Sequence, residues 1–229
     1  MSRRYALYLA PPNRHPLWAL GCAWLGRDAE SGAHTPPPAG IGAAWWQSIT
    51  AEPRRYGLHA TLKAPFRLAS GQHEDDLLAA LARFATARAP FDLPLVVSEL
   101  SGFACLRPAA ESIALQGLAD ACVREFEPFR AALTPEELAR RHPDRLDDTG
   151  RALLERWGYP HVFERFCCHF TLSGTLTDAE RGLLLPQLVN RFAPSLVEPL
   201  RIDQLALFVE DHPGADFRLV RRFAFEGTA

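Results

Sequence analysis

At 229 residues and 48% hydrophobic composition, the chain can bury a proper core as one large domain or as two small lobes. Its 25 basic and 27 acidic residues leave a net charge of −2, which argues against a protein that coats nucleic acid or an anionic membrane. The five cysteines, Cys22, Cys105, Cys122, Cys167 and Cys168, include no Cys-x-x-Cys pair, and no stretch approaches the roughly 20 apolar residues of a membrane span. A reduced, cytoplasmic globular protein is expected.

In chain order, "RRYALYLAP" reads as a short strand ended by prolines. "HPLWALGCAWLGRD" carries the apolar spacing of a helix that ends near Gly26, and "SGAHTPPPAGIG" is loop. "AAWWQSITAEP" reads as a short helix, residues 57–63 as a strand, and 74–88 as a helix burying Leu77, Leu78, Leu81 and Phe84. "FDLPLVVSELSGFACLRP" and "ESIALQG" read as strands. A helix over 118–133, a polar helical segment over 134–157 and a strand over 166–173 follow. "TDAERGLLLPQLVNRF" reads as a helix with Thr177 at its N-cap, Glu180 three residues on, and a kink at Pro186. "SLVEPLRIDQLALFVED" and "FRLVRRFAFEG" close the chain as strands.

The order strand, helical segment, strand, helix, strand thus occurs twice. It predicts an α+β unit of mostly antiparallel sheets, with a first lobe over 1–110 and a second over 111–229. Each lobe would carry one copy of the same tetrapeptide: His59-Ala60-Thr61-Leu62 and His169-Phe170-Thr171-Leu172. Side chains alternate faces along a strand, which puts Leu58, Ala60 and Leu62 on one face and His59, Thr61 and Lys63 on the other. In the second copy Cys168, Phe170 and Leu172 share the apolar face, while His169, Thr171 and Ser173 share the opposite one. A lone His-x-Thr is uninformative, but two copies, each followed by Leu and each with a core face and a chemical face, form a strong signal.

Those residue types suit phosphoester chemistry. Imidazole ionises near neutrality, so one copy can accept a proton while the other donates one. The threonine hydroxyl two residues along can donate a hydrogen bond to a phosphoryl oxygen. Facing each other across a cleft, the two strands would bracket one phosphorus, with base and acid on opposite sides for in-line displacement and no metal required. Lys63 is a candidate to neutralise phosphate. Arg55 and Arg165, four residues before each histidine, are candidate phosphate ligands that serve equally well as surface arginines. Tyr56, Tyr159, Trp45, Trp46 and Phe103 could stack on substrate, although such aromatics are more often core. His161 lies close enough in sequence to reach the cleft mouth. "EELARRHPDRLDD" reads as a solvated helical face, with a lid over the cleft as the alternative.

With these motifs, and with "RYALYLAPP", "PLWALGCAWLGRD", "YGLHATLKAPF" and "WGYPHVFERFCCHFTLSG" around them, the chain resembles the two-histidine (2H) phosphoesterases, in particular a bacterial branch linked to phosphonate metabolism. The resemblance covers nearly the whole sequence. It implies a bilobal, pseudo-two-fold fold with a central cleft, and catalysis without metal or cofactor on a cyclic phosphate or related phosphodiester of a nucleotide or phosphorylated sugar. His59 and His169 would be catalytic, with Thr61, Thr171, Lys63, Arg165 and Tyr56 binding substrate. The expected partner is a small phosphorylated molecule or an RNA end, with no membrane and no obligate protein partner. A 2′–5′ RNA ligase-like activity and a non-catalytic sensor of phosphorylated ligands are the alternatives. A metallophosphatase is weaker, because the eight histidines form no Asp/Glu-rich cluster with metal-ligand spacing.

Overall fold

A computed structural model describes residues 3–228. The first half comprises β1 (Arg4–Leu9), α1 (Pro16–Leu25), α2 (Ala43–Tyr56), β2 (Ala60–Phe66), α3 (Glu74–Thr86), β3 (Phe91–Leu93), β4 (Leu95–Leu100) and β5 (Phe103–Pro108). There follow α4 (Ile113–Glu125), α5 (Pro135–Ala139), α6 (Asp148–Trp157), β6 (Phe170–Thr175), α7 (Asp178–Phe192), β7 (Leu200–Ile202), β8 (Gln204–Glu210) and β9 (Arg218–Ala224).

Three antiparallel sheets result: β2-β1-β8-β9, β4-β5-β6, and the small pair β3-β7. The α+β class follows the hydrophobic pattern, but a division of the strands at residue 110 is corrected. β4 and β5, from the first half, pair with the His169 strand; β8 and β9, from the end of the chain, join the His59 sheet. The cause lies in β1 and β8. Almost every residue of both strands is buried, so each needs a strand on both sides and cover on both faces, and they satisfy that need by pairing centrally with one another.

The two motif strands are also interlocked by helices. α2, which precedes β2, packs on β6, while α4, which precedes β6, packs on β2. Indole hydrogen bonds fasten the same seam: Trp24 Nε1 donates to the Leu172 carbonyl at 2.7 Å and Trp46 Nε1 to the Trp24 carbonyl at 2.7 Å. Trp46 is therefore core rather than cleft.

Local capping explains the remaining boundaries. α1 stops at Gly26, whose φ of 82° is left-handed, as its glycine predicts. "ESIALQG" is not a strand: Ser112 accepts from Leu115 N as an N-cap, and Leu115, Leu118, Ala119 and Cys122 form the buried stripe of α4. The polar segment 134–157 is broken into α5, a single 3₁₀ turn and α6. Thr177 and Glu180 form the reciprocal capping box of α7, which runs on through Pro186 to Phe192. All five cysteines are free thiols, Cys167 half-buried and the rest buried. No helix among the described residues is long and apolar enough to cross a membrane.

Candidate active site

Each motif strand begins one residue after its histidine, so His59 and His169 sit where chain enters sheet. Gly57 ends α2 with φ 75° and ψ −179°, a conformation that favours glycine, and a Cβ there would lie 2.5 Å from the Ala29 Cβ. That geometry points the Gly57 carbonyl at His59, whose Nδ1 lies 2.9 Å from it. His169 repeats the arrangement with the Cys167 carbonyl at 2.7 Å. A carbonyl only accepts, so both Nδ1 atoms carry a proton and each neutral ring keeps its lone pair on Nε2.

Both imidazoles and both threonine side chains line one cleft of about 300 Å³. Tyr8 stacks on His59 with ring centroids 4.0 Å apart, and Phe103 lies 5.4 Å from the His169 ring, so each imidazole has an aromatic neighbour. Tyr56 also borders the cleft, its ring stacked on Phe217 at 4.9 Å. Burial pushes the His59 pKa down to about 4, and burial lowers His169 as well. Both rings are therefore neutral near pH 7.

The strict alternation that places Lys63 beside Thr61 fails. Tyr8 is opposite Thr61 but Leu7 is opposite Lys63, so Leu62 is an extra residue in β2. The bulge turns Lys63 into the interior, where Nζ donates to the Val123 carbonyl at 3.0 Å and to Glu127 Oε2 at 2.9 Å. In β6, Ser173 stays on the cleft with His169 and Thr171, buried though it is. Ser173 Oγ accepts from Ala104 N at 2.9 Å and donates to the Gly174 carbonyl at 2.8 Å.

Arg165 also falls away as a substrate ligand. It lies in a 3₁₀ turn instead of an extended strand, does not line the cleft, and donates to Asp147 Oδ2 at 2.5 Å. Arg55 likewise stays outside the histidine cleft and pairs with the buried Glu210.

Tyr8, Glu52 and Arg141 are among the lining residues that the sequence does not single out. Tyr8 lies in the apolar run of β1, where nothing distinguishes a cleft tyrosine from a core one. Arg141, from the charged segment after α5, is the single Lys or Arg among the residues lining the histidine cleft, and its guanidinium lies 4.9 Å from the Tyr159 ring centroid. The charge run "ARRHPDR" was a visible signal, but its direction was not.

On one flank the cleft continues into a more apolar cavity of about 380 Å³, bordered by Leu100, Phe103, Tyr159, His161 and Phe166. Among the described residues, no three or more His, Cys, Asp or Glu side chains are placed to hold a metal ion.

Residues 61–218 match the family described as "Protein of unknown function (DUF1045)". The chain belongs to that family. Two curated relatives carry the name "Ribose 1,5-bisphosphate phosphokinase PhnN". The protein from Laribacter hongkongensis (strain HLHK9) is 42% identical over 220 residues, covering 95% of this chain and 51% of its own. The one from Janthinobacterium sp. (strain Marseille) is 38% identical over 235 residues, covering 98% and 51%. This chain thus spans about half the length of the curated relatives it matches. Among solved structures it is similar to TT0787 of Thermus thermophilus, at TM-score 0.48 and 18% identity, covering 99% of this chain and all of that one. It is also similar to E. coli LigT complexed with NADP+, at TM-score 0.46 and 15% identity, covering 99% of each. Likenesses this loose say nothing of activity.

Proposed function

We propose that this chain is a two-histidine phosphodiesterase that hydrolyses a cyclic phosphate or related phosphodiester without metal or cofactor. The observation that carries the reading is the matched pair of imidazoles. Each has its Nδ1 proton fixed on the carbonyl two residues back, and both line one cleft with a threonine beside them.

In this reading His59 is the general base, because burial makes it the harder ring to protonate. Its Nε2 takes a proton from water as the water oxygen attacks phosphorus. His169, carrying a proton on Nε2, gives it to the leaving alkoxide as the phosphorus–oxygen bond breaks. Water is consumed, the ring opens to a phosphomonoester, and the two imidazoles exchange protonation states. The Thr61 and Thr171 hydroxyls donate to the non-bridging oxygens, a form of electrostatic stabilisation that strengthens as charge develops there. Bound phosphodiester charge between the rings favours the imidazolium that the acid role needs.

The organic part is a phosphorylated ribose in this proposal, in keeping with the branch linked to phosphonate metabolism and with the name of the curated relatives. Their kinase activity is not carried over. Nucleotide kinases commonly cradle phosphates with a Gly-x-x-x-x-Gly-Lys loop. The single lysine of this chain, Lys63, follows no such loop and is bonded to Glu127. The more apolar flank favours a second reading, a nucleotide or a 2′–5′ RNA end with its base against Phe103 and Tyr159.

The test is turnover of a panel in chelator: nucleoside 2′,3′-cyclic phosphates, ribosyl cyclic phosphates and a 2′–5′ dinucleotide. Ring opening that disappears in His59→Ala and His169→Ala supports the proposal. Tight binding without product would favour a sensor instead.

A further inference from the structure

A further cavity of about 210 Å³, bordered by Arg4, Arg55, Arg140 and Arg141, adjoins the histidine cleft. Tyr56, Pro65 and Arg141 border both it and the histidine cleft, so the two adjoin along one wall. Four guanidinium groups around so small a space repel one another unless something negative lies between them.

The carboxylates on hand do not supply enough charge. Glu137 borders the cavity but is already engaged: Arg67 grips it through Nε at 3.0 Å and Nη2 at 2.9 Å, and the Thr134 amide donates to it at 2.9 Å. Glu210 is fully buried and is shared by Arg4 and Arg55, so that pair keeps an excess positive charge. Although burial opposes it, the hydrogen bond and charge of Arg4 hold the Glu210 carboxyl below its usual range, so Glu210 stays ionised and keeps both arginines in place. Neither Arg140 nor Arg141 forms a salt bridge among the described residues, although the exposed Glu136, one turn before Arg140, feels its charge, and Arg141 reaches past Tyr159 to the boundary of the two cavities. Arginine forks suit the oxygens of a phosphoryl group, and a dianionic phosphomonoester supplies the charge this cavity lacks.

We propose that the arginine-lined cavity is a second anion subsite, and that the substrate is a cyclic phosphodiester carrying a separate phosphomonoester on the same organic part. This rests on the reading of the histidine cleft as the hydrolytic site. The cyclic phosphate lies between His59 and His169, and the distal phosphoryl group lies against Arg140 and Arg141. The distal group would set specificity and hold the reacting ring in register without taking part in the chemistry.

The test compares two substrates differing only in the distal group: adenosine 2′,3′-cyclic phosphate with a free 5′-hydroxyl, and the same compound with a 5′-phosphate. The wild-type protein is expected to prefer the 5′-phosphorylated compound by at least about tenfold in kcat/KM. In the double variant Arg140→Gln, Arg141→Gln that ratio is expected to fall to near one. The ratio is read within one protein, so a general loss of folded enzyme cancels. Equal kcat/KM for the two compounds in the wild type, or a preference that survives in the double variant, would overturn the subsite.

If the wild type turns over neither compound, the hydrolytic reading fails and the subsite is judged by binding alone. Calorimetry with ribose 5-phosphate is then expected to show affinity at least about tenfold weaker in the double variant and retained in His59→Ala. Affinity lost in His59→Ala but kept in the double variant would place the anion with the histidines and overturn the second subsite.

Discussion

The Tyr8 ring lies flat on the His59 imidazole, 4.0 Å between centroids and 29° between planes, while Tyr8 itself is only 1% exposed. Tyr8 faces Thr61 across the β1–β2 pairing, so one central-strand residue braces both chemical side chains of the first motif. The brace is the flat ring rather than the hydroxyl. Tyr8→Phe is therefore expected to keep kcat within about threefold, whereas Tyr8→Leu, which fills the site without a flat face, is expected to lower it by about tenfold. Steady-state kinetics with a thermal melt on each variant separates lost bracing from lost fold.

Removing either imidazole should be far more severe. His59→Ala and His169→Ala are each expected to lower kcat by about 10²–10⁴-fold, the usual contribution of a positioned acid or base. The rings act as a pair, so the double variant should be little worse than either single one. Circular dichroism should be unchanged, since both side chains are half-buried at the cleft wall and not in the core. Turnover near the wild-type rate in either single variant would refute the mechanism.

The pH dependence follows from burial. The base form of His59 survives down to about pH 4, and His169 gains its proton below the ordinary imidazole value of 6.5. The active combination, neutral His59 with protonated His169, is thus most populated between those limits. A kcat/KM profile should be bell-shaped with its maximum below pH 6.5 and its acidic limb near 4. Stability has a matching sign. The unfolded chain protonates its histidines near 6.5 while folded His59 does not until about 4, so the unfolded state binds more protons in that window. This stabilisation is whole above 6.5 and declines as pH falls toward 4, by at most about 1.4 kcal/mol per pH unit for this residue. A phosphodiester analogue should restore part of the lost melting temperature, since an anion beside the rings raises both pKa values.

How much of this was legible in the sequence divides along the physics. Alternation within one short strand is a local rule, and it correctly placed His59 with Thr61 and His169 with Thr171. Capping is equally local, and Thr177 with Glu180 was readable from two residues. The rule broke at Lys63 because a bulge depends on the partner strand, and the shift between Leu7 and Tyr8 leaves no mark in "HATLKAPF". The lobes were misdivided for a related reason: β1 pairs with β8 across nearly the full chain, and strand order is a matter of burial in three dimensions. Arg141 was hidden differently. A run of charges looks solvated from its composition, and only the path of the chain after α5 turns one of those side chains toward the histidines.

Lys63 gives a clean check on the bulge in β2. As a phosphate ligand it would set KM; as found, it is 4% exposed and bonded to Glu127 at 2.9 Å. Glu127 keeps a second partner, Arg130, whose Nη2 donates to it at 2.6 Å, so deleting Lys63 costs the buried hydrogen bonds it makes, about 1–3 kcal/mol. Lys63→Ala should therefore lower the melting temperature sharply with kcat and KM per folded molecule little changed. Lys63→Ala combined with Glu127→Gln should recover none of that loss, because Arg130 then loses its carboxylate partner. A raised KM at undiminished stability would return Lys63 to the substrate.

Gly57 tests whether the histidines need their carbonyl partners. With φ at 75° and Ala29 only 2.5 Å from where a Cβ would stand, alanine at this position must strain or shift the turn that aims the carbonyl at His59. Gly57→Ala is expected to cost about 1–3 kcal/mol of stability and also to lower kcat in the protein that remains folded. The control is Gly117→Ala, in the exposed face of α4 with open space around it, which should stabilise by about 0.5–1 kcal/mol and leave the kinetics alone. If Gly57→Ala loses stability but keeps full kcat, the Nδ1 hydrogen bond is not what readies His59 as a base, and the stacking of Tyr8 must orient the ring without it.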